Sequence, residues 1–245
     1  MIDFNCYIGN WPFHKVRSSS FDDLLSLHRE NGIDYGYISS IESIFYNDPY
    51  ESEKDLSEKI KSTPYEHVLT VNPSLESWEI SLEACLREFD IKGLRIHPGF
   101  HGYELTDDEI LPLVEVAKRE SLPIFVTMRM SDERMTHMMH PRLPSVEELK
   151  AFAEKCEGVK VVFCYIKDYE AKQLFNTLKN SENVFIDTTG LSQILLFGDT
   201  MGILPHAVYG SGYPLRTLKS TIMALDELSD EELRLSVLNG KAINL

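Results

Sequence analysis

Residues 123–140 read PIFVTMRMSDERMTHMMH, an apolar run that ends abruptly in Arg129, Asp132, Glu133, Arg134, His137 and His140. A run with no polar alternation marks a strand buried on both faces, as in a parallel sheet. Polar groups crowded just past the C-terminal end of such a strand are where an α/β protein places its chemistry. No Cys or Asp joins the histidines at a metal-ligand spacing, and Thr127 stands where a strand-borne ligand is expected. The stretch reads as an active-site rim rather than a clear metal centre.

Outward from this segment the same pattern recurs. Strands are predicted over 2–8, 34–41, 67–73, 91–97, 123–129, 159–166, 183–189 and 207–212. Between them, 21–31 and 76–89 carry apolar residues at helical spacing, the second through Trp78, Leu82, Cys85, Leu86 and Phe89. TDDE at 106–109 reads as an N-cap with an acidic first turn for a helix over 106–120. Further helices are expected over 145–156, 168–180, 192–203, 217–227 and 230–238, with loop excursions over 43–55 and 130–144. Eight βα units in 245 residues predict an α/β fold, a single-domain (β/α)8 TIM barrel spanning 1–245. A doubly wound sheet is the alternative, but no Gly-rich phosphate fingerprint follows the first strand.

Strand alternation then sorts the side chains. It points Asp3, Asn5 and Tyr7 into the barrel and Phe4, Cys6 and Ile8 toward the helices. It also pairs Arg95 with His97, Thr127 with Arg129, and Asp187 with Thr189. Polar residues therefore converge from the ends of several strands.

Composition narrows the partners. With 24 basic and 39 acidic residues the net charge is −15, which repels nucleic acid and anionic membranes. A local Arg/His cluster still admits a small anionic substrate. Cys6, Cys85, Cys156 and Cys164 are dispersed, which suggests reduced thiols and a cytoplasmic location. The chain enters a strand at once, with no signal-peptide pattern. No apolar run reaches the roughly 18 residues that span a bilayer. FYNDPY (45–50) and LLFGDTMGIL (195–204) offer apolar surface for a homo-oligomer contact.

IDFNCYIGNWPF at 2–13, KGLRIHPGFHGYEL at 92–105, YGSGYPL at 209–215 and LNGKAINL at 238–245 occur in an order and spacing that carry a likeness. The chain resembles the amidohydrolase-related barrels, in the amidohydrolase 2 branch of small metal-dependent hydrolases and decarboxylases. The resemblance implies an active site at the C-terminal strand ends. It also implies a divalent metal such as Zn²⁺, held by a His-x-His on the first strand and by histidines on the fifth and sixth, beside a last-strand Asp. Those places hold Asn5 and Tyr7, Thr127 or Arg129, a position near Tyr165, and Gly212. The departure argues for no bound metal. Some members of the branch share the Asn opening strand, the Trp-Pro-Phe element and Arg-x-x-Asp-Glu-Arg, matched here at Asn5, Trp11–Phe13 and Arg129–Arg134.

The leading expectation is a hydrolase, or a related acid/base enzyme, that acts on a small carboxylated molecule without a tightly held metal. His97, His101 and Asp187 are its catalytic candidates. Arg95, Arg129, Asp132 and Arg134 would bind the anionic substrate, with Asn5, Tyr7 and Tyr165 polarising it and Trp11 beside Phe13 walling the pocket. Alternatively His97 hydrogen-bonds its loop, Asp187 pairs with Arg95 or Arg129, Asp132 and Glu133 pair with Arg134, and the tyrosines fill the barrel. Two further functions stay open. One is an inactive ligand-binding or regulatory pseudoenzyme. The other is a metal-dependent hydrolase or decarboxylase using His97, His101, His137 or Asp187.

Overall fold

The strands expected from apolar runs all form. In the computed structural model, which describes residues 1–130, 141–178, 181–191 and 202–245, they are β1 (Ile2–Ile8), β2 (Tyr35–Ser40), β3 (Tyr65–Thr70), β4 (Ile91–Ile96), β5 (Ile124–Thr127), β6 (Val161–Cys164), β7 (Val184–Asp187) and β8 (Ala207–Val208). Each is parallel to the next, in sequence order. Irregular hydrogen bonds join the last strand to the first. Phe4 N–H donates to Tyr209 O at 2.8 Å, Gly212 N–H to Asn5 O at 2.8 Å and Tyr7 N–H to Tyr213 O at 2.9 Å. The result is a (β/α)8 barrel.

Around it run α1 (Phe21–Glu30), α2 (Glu42–Phe45), α3 (Tyr50–Ile60), α4 (Trp78–Glu88), α5 (Pro98–His101), α6 (Leu111–Arg119), α7 (Val146–Lys155), α8 (Asp168–Thr177), α9 (Leu218–Asp226) and α10 (Glu231–Leu238). Ser20 with Asp23 and Ser145 with Glu148 form capping boxes at α1 and α7, each worth about 1 kcal/mol. None of the described helices is long and apolar enough to cross a membrane.

Two local expectations are corrected. The segment 43–55 is not a loop, because α2 and α3 fill most of it. Glu51, Lys54 and Asp55 of its charged run form the outer face of α3, whose inner face buries Glu53, Leu56 and Ile60. TDDE does not cap α6. The Asp107 carboxylate instead accepts the Glu104 N–H at 2.8 Å, and a 3-10 turn over Asp108–Ile110 precedes the helix. His97 and His101 are joined by the single turn of α5, with His97 as its N-cap. Most of the helix expected over 192–203 and of the loop expected over 130–144 lies outside the described residues.

The core has two layers. Leu94, Ile96, Ile124, Val126, Phe163 and Ile186 pack outward against the helices. Phe4, Tyr37, Val68, Phe125, Val162 and Phe185 fill the inside. Alternation fails at three places: at Lys92 near the start of β4, where His67 pairs with Ile91 but Val68 with Gly93, and at two places beside the polar centre. In β1, Asp3 pairs with Gly36 but Cys6 with Ile38, so one extra residue bulges from β1. The expected inward group of Asp3, Asn5 and Tyr7 therefore becomes Phe4, Asn5 and Tyr7. Phe4 stacks on Tyr37 at 4.9 Å inside the barrel, whereas Asp3 faces His28 of α1 at 3.1 Å. At the end of β6, Tyr165 adopts φ +60°. Cys164 and Tyr165 then both join the inner layer while Ile166 joins the outer one.

Candidate active site

Arg95 is the centre of the inner layer. It is fully buried, and its Nη1 donates to Asn5 Oδ1 at 2.6 Å and Tyr7 Oη at 2.5 Å, with Thr127 Oγ1 at 3.4 Å. Its guanidinium carbon lies 4.6 Å from the Tyr7 ring centroid and 5.1 Å from that of Phe125, a desolvated cation–π geometry. Among the described residues no carboxylate lies within ion-pair distance, and Arg95 Nε and Nη2 have no hydrogen-bond partner. Charge of one sign is thus held deep in the barrel with donors to spare.

Asn5 relays that charge to Asp187. With its oxygen committed to Arg95, its amide Nδ2 donates to Asp187 Oδ2 at 2.6 Å. Thr189 Oγ1 also donates to Oδ2, and the Tyr165 N–H donates to Oδ1 at 2.8 Å. Burial raises the Asp187 carboxyl from 3.8 to about 6, although the bonds from Thr189, Tyr165 and Asn5 and the Arg95 charge pull it down. Burial also pushes the Tyr7 phenol up to about 12, so it stays protonated and shares a 3.0 Å hydrogen bond with Thr127.

Glycine makes this relay possible. A Cβ on Gly210 would stand 2.7 Å from Asp187 Oδ2, 2.8 Å from Thr189 Oγ1 and 3.0 Å from Asn5 Cβ. Gly212 takes φ +63°, open mainly to glycine. Its carbonyl accepts from Tyr165 Oη at 3.3 Å. The GSG element is therefore a packing requirement of the site.

His97 is fully buried with both ring nitrogens unpartnered, its ring 6.4 Å from Tyr7 and 5.6 Å from His101. Burial, then His101 and Arg95, hold it well below 6.5 and therefore neutral. His101 lies at the margin. Its Nε2 is 3.0 Å from the Ile44 carbonyl, so Nε2 carries the proton. Burial lowers His101 to about 4. Trp11 packs edge-on against Phe13, Phe45 and Phe100 of α5 at 5.3, 5.7 and 5.9 Å, an apolar cluster that brings Trp11 and Phe13 together.

Other expected residues fall elsewhere. Arg129 does not join the Arg95 cluster. It makes a bidentate pair with Glu170 of α8 at 2.6 and 2.9 Å and donates to Tyr165 O at 2.7 Å. Burial would raise Glu170, but Arg129 holds it below the usual carboxylate range. Asp132, Arg134, His137 and His140 lie outside the described residues. Sequence reasoning missed Glu170, although its place in the first turn of α8 is a capping signal, used here by a 2.9 Å bond from Lys167 N–H.

The interior does not fit a divalent metal. Asn5, Tyr7 and Thr127, at the places where the resemblance puts ligands, are an amide, a phenol and a hydroxyl, weak donors beside His or carboxylate. All three surround Arg95 Nη1. A divalent ion 4 Å from that guanidinium would meet about 8 kcal/mol of repulsion at an effective dielectric of about 20. Among the described residues one group of three His, Cys or acidic ligand atoms lies within 4.8 Å, formed by Asp3, Cys6 and His28. It sits outside the barrel wall, and its groups already pair: His28 with Tyr65 at 2.7 Å and Asp3 at 3.1 Å, and Cys6 with Tyr37 O at 3.4 Å. His97, His101 and Asp187 do not form such a group.

Solved structures of known proteins share this architecture. 5-Carboxyvanillate decarboxylase from Sphingomonas paucimobilis is 13% identical, with 98% of this chain and 97% of that one covered and a TM-score of 0.69. 2,6-Dihydroxybenzoate decarboxylase from Rhizobium is 10% identical, with 96% and 94% covered and a TM-score of 0.67. Dihydroxybenzoic acid decarboxylase from Polaromonas sp. JS666, with bound manganese and the inhibitor 2-nitroresorcinol, is 12% identical, with 96% and 93% covered and a TM-score of 0.67. These similarities establish the fold. No curated protein matches the chain in sequence. The amidohydrolase family profile matches residues 15–235, nearly the whole barrel, and the chain belongs to the amidohydrolase family.

Proposed function

We propose that this barrel is an acid–base enzyme acting at a carbonyl of a small carboxylated molecule, with hydrolysis as the leading reaction and no tightly held metal. The observation that carries the reading is Arg95, a buried cation with two unpartnered donors, linked through Asn5 to the buried carboxylate of Asp187. A carboxylate, or the oxyanion formed when a carbonyl is attacked, supplies the missing charge and acceptors. Asp187, ionised above about pH 6, takes the proton of the attacking water. Neutral His97 offers one N–H and one lone pair to the substrate, and Tyr7 adds a phenolic hydrogen bond.

Two sequence-derived roles change in this reading. Arg129 fixes α8 to the end of β5 rather than gripping substrate, because Glu170 already engages it at both oxygens. His101 is assigned to holding Ile44 and the aromatic cluster. Relatives of the same fold named for 2,6-dihydroxybenzoate and 5-carboxyvanillate support a carboxylated substrate. The four unpaired, buried cysteines suit a reducing, cytoplasmic setting.

The test is a screen of small aliphatic and aromatic carboxylates, by thermal shift and by turnover, on wild type, Arg95→Met and Asp187→Ala. Binding lost in Arg95→Met, and turnover lost with binding kept in Asp187→Ala, is the expected result. Carboxylate affinity that survives Arg95→Met refutes the anion assignment. Binding without turnover in the wild type would assign the pocket to a ligand-binding pseudoenzyme.

A further inference from the structure

We propose that the Arg95 guanidinium takes the place of a divalent ion in this barrel, turning a metal site into an anion pocket built around a tethered cation. The evidence is a convergence on one atom. Asn5 and Tyr7 of β1 and Thr127 of β5 all surround Arg95 Nη1, at 2.6, 2.5 and 3.4 Å. Arg95 reaches that point from β4, an arrangement that needs space below it. Gly93 provides the space, since a Cβ there would stand 2.8 Å from the Phe125 ring over which the guanidinium lies.

The consequence is a reversed rule for what completes the site. A metal site attracts water and anionic ligands to an exchangeable ion. Here the cation is covalent and its nearest hydrogen-bonded neighbours are neutral, so an added cation must displace it, whereas an anionic oxygen fits its unpartnered Nε and Nη2. Asp187 is kept one residue away by Asn5 and is not within ion-pair distance.

The inference shares its pocket with the proposed enzyme but needs no substrate, so the two can fail separately. The experiment is Co²⁺ uptake, measured as metal per chain after gel filtration and as visible absorption. All proteins carry Cys6→Ser, which removes the outer Asp3–Cys6–His28 group. The wild-type barrel and Arg95→Lys are expected to take up no Co²⁺. The triple variant Asn5→His, Tyr7→His, Arg95→Met is expected to bind stoichiometric Co²⁺. Circular dichroism and urea unfolding establish that each variant is folded. Stoichiometric Co²⁺ in the wild-type barrel that is lost on Tyr7→Phe or Asn5→Ala overturns the proposal. A folded triple variant that stays metal-free overturns it as well. If the triple variant does not fold, the wild-type and Tyr7→Phe measurements decide alone.

Discussion

Replacing Asp187 with Asn should change the pH dependence of stability in a calculable way. Asp187 is fully buried, and its carboxyl titrates near 6 in the folded barrel against 3.8 ordinarily. A folded value above the unfolded one means that the native state binds the proton more tightly. The resulting stability is fully present below about pH 4 and is lost as pH rises through about 6. At about 1.4 kcal/mol per pH unit, the loss is about 3 kcal/mol. His97 and His101 act in the opposite sense, since burial lowers both and stability falls as pH drops below their ordinary 6.5. The wild-type profile alone therefore mixes terms of opposite sign. The difference between wild type and Asp187→Asn isolates one of them. Urea unfolding of both proteins from pH 4 to 7.5 at fixed ionic strength should show the variant gaining about 2.4 kcal/mol on wild type as pH rises. Loss of the relay hydrogen bonds lowers the variant by about 1–3 kcal/mol at every pH and leaves this slope unchanged. A difference curve flat across pH 4 to 7.5 would refute a desolvated Asp187.

Three other perturbations read the same architecture. Asp187→Asn puts an amide N–H against the Asn5 amide, whereas the swap Asn5→Asp with Asp187→Asn restores a donor–acceptor pair, so a double-mutant cycle should give about 1–3 kcal/mol of favourable coupling; additive effects would break the relay. Arg129→Met strands the buried Glu170 carboxylate and should cost about 3–5 kcal/mol, while Arg129→Met with Glu170→Leu costs less; paired urea titrations compare them, and equal losses would deny the ion pair its role. Gly210→Ala drives a methyl into Asp187 and Thr189 and should cost about 1–3 kcal/mol, with a melting temperature equal to wild type as the contrary result.

Strand positions were legible because a buried parallel strand has few ways to be written. VVFC at 161–164 and VFI at 184–186 need only apolar side chains on both faces. Arg95 and Asp187 were placed on inner faces by alternation, since the one-residue bulge of β4 at Lys92 comes before Gly93 and the rest of β4 and β7 pair in register. Asp3 and Phe4 were misplaced because a bulge inserts one residue into β1, and nothing local in IDFNCYI announces it. The helix α3 was hidden by its charged outer face, which resembles a solvated loop until Leu56 and Ile60 have a wall to pack against.

The sequence by itself determined the barrel, the end of it that carries the polar groups, and the absence of the histidines a metal centre of this kind requires. These follow from periodicity and residue identity, which are local. Tertiary structure alone decided the partners. Arg129 sits two residues past the inward-facing Thr127, yet Glu170, forty-one positions away, engages it. Arg95 meets Asn5 and Tyr7 from ninety and eighty-eight positions away. Which cation is neutralised and which is left with donors unused depends on distances across a closed sheet, and closure is a property of all eight strands together.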